Sequence, residues 1–172
     1  MPRFQASSVI QAPLEVVFAF HEKTEAFETL MPPRQKFEML RRDGGINDGG
    51  EIEFRLRIGP FWMRWQARHT GYEKNRLFVD EQVKGPFRRW VHQHEFQADG
   101  ANTKLTDTVD FNLPGGAVAD AAAGWIVRLA LTRMFEYRHR VTNRITERMF
   151  RELTRTEPRR PLPDPPPHSQ TL

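Results

Sequence analysis

Residues 36 to 114 alternate apolar and polar side chains, and this period of two is the feature that most restricts the fold. Turn signals at "DGGINDGG", "IGPF", "EKN", "KGPF" and "ADGAN" divide the region into about six segments. In one segment Ile52, Phe54, Leu56 and Ile58 share a face, and charged residues fill the alternate positions. The pattern predicts an antiparallel meander with one face on a core and the other in water.

The flanking regions predict helices and one more strand. A strand in "FQASSVIQA" precedes two short helices in "PLEVVFAFHEKTEAFETLMPP". After "LPGG" the apolar spacing becomes three to four, which predicts a helix over residues 117–153, about 50 Å long. Its arginine-rich face is interpreted as solvated, with membrane contact as the alternative. With 172 residues the chain is large enough for one α+β domain with a real core.

The last residues have a different composition. Six prolines fall in "PRRPLPDPPP", where the fixed φ and the missing N–H groups disfavour helix. We therefore expect a domain over residues 1–153 and a disordered tail over residues 154–172. The tail is interpreted as a solvated terminus, and recognition of it by a protein partner is the alternative.

Several classes of protein are disfavoured by composition. The net charge of +4 is spread through mixed-sign segments, so we expect no nucleic-acid binding. No apolar run is long enough for a membrane span, so we expect no membrane insertion. There is no cysteine and no apolar leader near the first residue, which together favour a cytoplasmic location.

The order of elements resembles the helix-grip fold of the SRPBCC superfamily, which includes START lipid-transfer domains, Bet v 1 allergens and polyketide cyclases. The segment "SSVIQAPLEVVFAFHE" is similar to the entrance of bacterial members, and "MPP" resembles the end of their second helix. The segment "FVDEQVKGPFRRWVHQHEF" resembles a small ligand-binding subgroup that also occurs fused to sugar-nucleotide-epimerase-like domains. The resemblance implies a curved sheet of about seven strands around the C-terminal helix, enclosing a cavity for a sterol, phospholipid, polyketide or quinone.

The apolar faces of the predicted strands also carry polar side chains. Within "RRWVHQHEF", alternation places Trp90, His92, His94 and Phe96 on one side. The same parity turns Asp80, Gln82, Asp107 and His69 toward the long helix on other strands. A buried carboxylate must be paired, protonated or hydrated, and a neighbouring histidine supplies the pairing.

Four interpretations of this cluster remain open. The histidines could be satisfied core groups, could orient a ligand, could act as general acid or base, or could bind a metal with His69 or an aspartate as third ligand. We predict binding of a hydrophobic or amphipathic small molecule, with no cofactor and no metal. The alternatives are a cyclase or dehydratase, with His92, His94, Asp80 and Asp107 as candidate catalytic groups, and an interaction module. The predicted ligand-binding residues are Phe54, Leu56, Trp65, His69, Phe78, Asp80, Gln82, Trp90, His92, His94, Phe96, Asp107, Phe111 and Trp125.

Overall fold

The computed structural model describes residues 2–156 and contains seven strands and three helices in this range. The elements follow the predicted order of one strand, two short helices, a six-stranded meander and one long helix. They are β1 (Arg3–Ile10), α1 (Leu14–His21), α2 (Ala26–Thr29), β2 (Phe37–Asp43), β3 (Glu51–Ile58), β4 (Phe61–Glu73), β5 (Leu77–Lys84), β6 (Arg89–Asp99), β7 (Asn102–Asn112) and α3 (Gly116–Thr156).

The strands form one antiparallel sheet in the order β1-β7-β6-β5-β4-β3-β2. The meander runs from β2 to β7, and β1 pairs with β7 at the far side. Register shifts interrupt β2 between Met39 and Arg41 and β4 between His69 and Gly71. Such bulges increase local twist and bend a strand. The curved seven-stranded sheet with a long closing helix confirms the predicted helix-grip fold.

The inner face of the sheet has the predicted parity. Along β6 the side chains of Trp90, His92, His94 and Phe96 are buried, whereas Arg89 and Glu95 are exposed. Two of the buried clusters meet on this face. One contains Phe54, Trp65, Trp90, Phe111 and Phe135, and the other contains Phe18, Phe78, Phe96 and Leu105.

Helix α3 contacts the sheet through a stripe of buried side chains that does not include Trp125. Its buried side chains include Leu131, Phe135 and His139, at intervals of four residues. Trp125 was predicted to line the interior, and this orientation is wrong, because 63% of its surface is exposed. At about 100° per residue, position 125 lies some 120° around the helix from position 131. Trp125 therefore points away from the sheet.

The end of the domain also differs from the prediction. Helix α3 continues to Thr156, so residues 154–156, which we assigned to the tail, are helical. The rest of the predicted proline-rich tail lies outside the described residues. Within residues 2–156, none of the helices combines the length and apolarity that crossing a bilayer requires.

Candidate ligand-binding site

The strand registers bring four of the predicted polar residues together. Asp80 on β5 is opposite His92 on β6, and His94 on β6 is opposite Asp107 on β7. All four side chains lie on the face covered by α3, as their alternation predicts. The sequence therefore identified this group from parity and strand order alone.

Asp107 is the centre of the cluster and is only 2% exposed. Its Oδ1 atom lies 2.8 Å from Nε2 of His92 and 2.7 Å from Nδ1 of His94. Its Oδ2 atom accepts a hydrogen bond of 2.6 Å from Nε2 of His139 on α3. One carboxylate thus connects two neighbouring positions of β6 to the covering helix.

Asp80 closes the cluster from the opposite side. Its Oδ2 atom lies 3.3 Å from Nδ1 of His92 and 3.1 Å from Nε2 of His94. Each of these two imidazoles consequently lies between two carboxylates. A neutral imidazole donates from one nitrogen only, so the His92 ring, with both nitrogens against carboxylates, is best satisfied when protonated.

The pKa values agree with this geometry. Burial, the strongest single influence, would lower the pKa of His92, but Asp80 and Asp107 together outweigh it and raise that pKa to about 9. Burial would raise the pKa of each aspartate, yet the imidazoles hold the pKa of Asp80 and that of Asp107 well below the ordinary range. The interior therefore keeps an imidazolium and two carboxylates, which stabilise one another.

His139 belongs to the cluster, and the sequence analysis missed it. Besides its bond to Asp107, its Nδ1 atom lies 2.8 Å from Oγ of Ser8 on β1. The sequence signal for His139 was its helical spacing. It lies four residues after Phe135 and three before Thr142, and these residues form the stripe of α3 that faces the sheet.

Two further buried histidines flank the cluster. Nδ1 of His21 on α1, which sequence reasoning also missed, donates to the carbonyl of Val17 at 2.8 Å. Burial lowers the pKa of His21 to about 4. Nδ1 of His69 donates to the carbonyl of Gly50 at 3.2 Å, and burial lowers its pKa as well. These two rings are neutral polar groups beside a charged cluster.

Aromatic side chains surround the ionisable groups. The ring of Phe78 stacks on His94 with centroids 3.9 Å apart, and Phe135 contacts His92 edge-on at 5.1 Å. Further along the sheet Trp65 packs against Trp90 at 5.1 Å. The predicted lining residues Phe54, Phe96 and Phe111 are buried, and Leu56 is partly buried against the same core.

Gln82 has a different role from the one we predicted. Its Nε2 atom donates to the carbonyl of Phe87 at 2.7 Å, and its Oε1 atom accepts from the backbone N–H of Phe87 at 3.3 Å. Both ends of the amide therefore bind the loop between β5 and β6, which leaves neither end committed to the interior cluster.

Part of the cluster could also hold a metal ion. Asp80, His92 and His94 offer one oxygen and two nitrogen atoms within 4.8 Å of one another. Asp107 binds the other nitrogen of each ring, an arrangement that orients histidine ligands in metal sites. To bind there, a metal would have to displace the ring protons that face Asp80. The expectation that the protein holds no metal stays a prediction.

Two adjoining concavities lie at the start of α3, outside the sheet. One has a volume of about 560 Å³ and is lined by residues that include Pro2, Ala121 and Trp125. The other, of about 470 Å³, includes Arg88 and Arg89 and shares Ala117 and Asp120 with the first. Trp125 thus contributes to a concave surface at the outer end of the helix, and the predicted cavity between sheet and helix stays a prediction.

Comparison with known proteins identifies the family. The model of the family "Polyketide cyclase / dehydrase and lipid transport" matches residues 10–136. A search of curated proteins found no match. Among solved structures, a protein from Thermus thermophilus and the Zhui aromatase/cyclase from a Streptomyces species each have a TM-score of 0.68 at 15% identity. Each covers 86% of this chain, with 99% and 94% of their own lengths aligned.

A longer protein shares the same fold. The nucleoside-diphosphate sugar epimerase from Corynebacterium glutamicum has a TM-score of 0.68 at 26% identity over 88% of this chain. The match spans only 30% of that epimerase, in line with the resemblance to a subgroup fused to epimerase-like domains. Because the family model covers most of the described residues, this chain belongs to the polyketide cyclase / dehydrase and lipid transport family.

Proposed function

We propose that the protein binds a hydrophobic or amphipathic small molecule, such as a lipid, polyketide or quinone, between the sheet and α3. The observation that carries the proposal is the cluster of Asp80, His92, His94, Asp107 and His139 within an aromatic interior. A mostly apolar lining with a few convergent polar groups is typical of small-molecule sites.

Stability alone is a poor explanation for this cluster. Burying a charge costs several kcal/mol after relaxation, and well-packed apolar replacements of buried ion pairs are often neutral or stabilising. A protein that needed only a core could therefore dispense with Asp107 and its three imidazoles. Membership of a family named for cyclases and lipid transport supports a ligand as the reason for the polar groups.

The proposal can be tested with the neutral fluorescent probe N-phenyl-1-naphthylamine. Trp65 and Trp90 are buried in the proposed site, whereas Trp62 and Trp125 are exposed. In a variant with Trp62→Phe and Trp125→Phe, the remaining indoles report on the interior. We expect saturable energy transfer from these indoles to the probe, because a probe between sheet and helix lies close to both.

The same probe distinguishes the interior from the concavity at the start of α3. If the probe binds at the outer concavity, Trp125→Ala should weaken binding, whereas binding inside should leave it unchanged. Native mass spectrometry of the purified protein would then look for a co-purified small molecule. Failure of the probe to bind, together with purified protein that carries no ligand, would reject the proposed function.

A second candidate is a cyclase or dehydratase that uses the same cluster. The observation that favours it is the His92 imidazole, which lies between two carboxylates and can exchange a proton with them. With an aromatic-forming β-polyketone as probe, an enzyme should lose turnover in His92→Gln or His94→Gln but keep it in His21→Gln, which changes a buried neutral histidine outside the predicted site. A binding protein should show no turnover in any of these forms.

The remaining expectations are separate from the site. A cytoplasmic location, the lack of nucleic-acid binding and the lack of a cofactor stay predictions. Interaction through the tail can be tested by deleting residues 157–172, which leaves α3 complete. Unchanged recovery of a partner by the shortened chain would dismiss that interaction.

A further inference from the structure

Arg138 is a half-buried residue whose Nε donor is buried without an acceptor. It lies on α3 directly before His139 and three residues after Phe135, about 60° around the helix from that buried ring. Within residues 2–156, its Nε is the one side-chain nitrogen or oxygen that is sealed from solvent and lacks a hydrogen-bond partner. The central carbon of its guanidinium lies 5.7 Å from the centre of the Phe135 ring.

The nearby carboxylates do not satisfy this guanidinium. Asp107 and Asp80 act on it through their charge, which raises its pKa, but burial has the larger effect and lowers that pKa overall. Three of their four oxygen atoms contact imidazoles, since Oδ1 of Asp107 contacts two rings, Oδ2 contacts a third, and Oδ2 of Asp80 contacts two. Neither carboxylate makes an ion pair with Arg138 within residues 2–156. The Nε donor of Arg138 is therefore left for a group that the described part of the protein does not supply.

The same carboxylates restrict the charge of that group. An anion placed beside Arg138 would also be exposed to the charges of Asp80 and Asp107, which are weakly screened in a buried site. A carbonyl oxygen accepts hydrogen bonds without carrying a full charge, and hydrogen bonds from a charged donor are stronger than neutral ones. The surroundings thus favour an uncharged acceptor over an acid.

We infer that Arg138 is a specificity-determining residue that binds a carbonyl oxygen of an uncharged aromatic ligand, such as a ketone or a quinone. The inference rests on the proposed function, since it names the ligand group that the interior selects. Phe135 lies under the guanidinium and is buried, so the surroundings of Arg138 on this side are apolar.

Three matched probes test the inference on the full chain: 2-acetylnaphthalene, 2-ethylnaphthalene and 2-naphthoate. They share one ring system and differ in having a neutral acceptor, no acceptor or an anion. Displacement of N-phenyl-1-naphthylamine measures the affinity of each. We expect 2-acetylnaphthalene to bind about tenfold or more tightly than 2-ethylnaphthalene, the discrimination expected for one hydrogen bond from a charged donor.

Variants assign the preference to this residue. Arg138→Met should reduce the difference between ketone and hydrocarbon to about twofold or less, and Arg138→Lys, which keeps a charged donor, should retain part of it. Arg140→Met, an exposed neighbour on the same helix, should leave the preference unchanged. Urea unfolding of each variant shows that the domain is still folded.

The outcomes separate this inference from the proposed function. Equal binding of ketone and hydrocarbon by the natural chain, or a preference that survives Arg138→Met, would overturn the role of Arg138. Tightest binding of 2-naphthoate would overturn the selection of an uncharged group. If none of the naphthalenes binds and N-phenyl-1-naphthylamine does not bind either, the proposed function itself fails.

Discussion

Replacing Asp107 by asparagine should cost the protein about 3 kcal/mol of unfolding free energy at pH 7. The pKa of His92 rises from 6.5 to about 9 in the folded state, and each pKa unit corresponds to about 1.4 kcal/mol, so this imidazolium is stabilised by roughly 3 kcal/mol net of the cost of its burial. Both carboxylates contribute to this, and Asp107 also contacts Nδ1 of His94 and accepts a hydrogen bond from Nε2 of His139. Removing one partner of a buried charge pair typically costs about 3–5 kcal/mol, which is of the same order.

Urea unfolding followed by tryptophan fluorescence measures this loss, and thermal unfolding should show a midpoint lowered by about 6–12 °C. Asp110→Asn is the matched control. Asp110 lies three residues away on β7 and pairs with Arg3, whose side chain is 66% exposed. Such a pair contributes less than about 1 kcal/mol. Equal effects of the two substitutions, or a loss below about 1 kcal/mol for Asp107→Asn, would refute the account of the cluster.

Three further predictions use the same unfolding assay. Stability should be greatest near pH 6.5. The stabilising contribution of His92 is complete below pH 6.5 and is lost as the pH rises through about 9. Stability also falls below pH 6.5, because His21 takes up a proton more readily in the unfolded chain than in the folded one. His92→Gln should remove the alkaline decline, and an unchanged decline would contradict its assignment to His92. Phe135→Ala should cost about 3–5 kcal/mol because this ring is 1% exposed, whereas Trp125→Ala should cost less than about 1 kcal/mol, and a reversed order would contradict the orientation of α3. Arg138→Met should not lower the unfolding free energy, because Nε of Arg138 is buried without a hydrogen-bond partner, and a loss above about 1 kcal/mol would show that Arg138 is structurally satisfied.

Much of the site on the sheet was predictable because a strand has only two faces. Once Trp90 and Phe96 are assigned to the core, His92 and His94 must follow, and strand order then places Asp80 and Asp107 beside them. The antiparallel meander was readable for the same reason, since each turn signal is local. Both conclusions rest on the two-residue period of a strand, in which every second side chain returns to the same face.

The helix side of the site was less predictable, because at about 100° per residue a small error in choosing the stripe becomes a large rotation. Taking Trp125 as an inward residue displaced the expected stripe and left out His139 and Arg138, which face the cluster. His21 escaped notice because α1 is too short for its periodicity to define a face. Tertiary packing decides which face of α3 meets the sheet, and the local sequence pattern does not determine that face.

The bulge in β2 has a consequence for self-association. β2 is an outermost strand, so its far side offers backbone groups to which a strand of another molecule could add. The register shift between Met39 and Arg41 breaks the regular spacing of those groups, and the ion pairs of Arg41 with Asp43 and of Arg42 with Glu28 place charges along the strand. These features disfavour the addition of a strand from another copy at β2. High protein concentration should therefore not lead to fibres that grow through this edge strand.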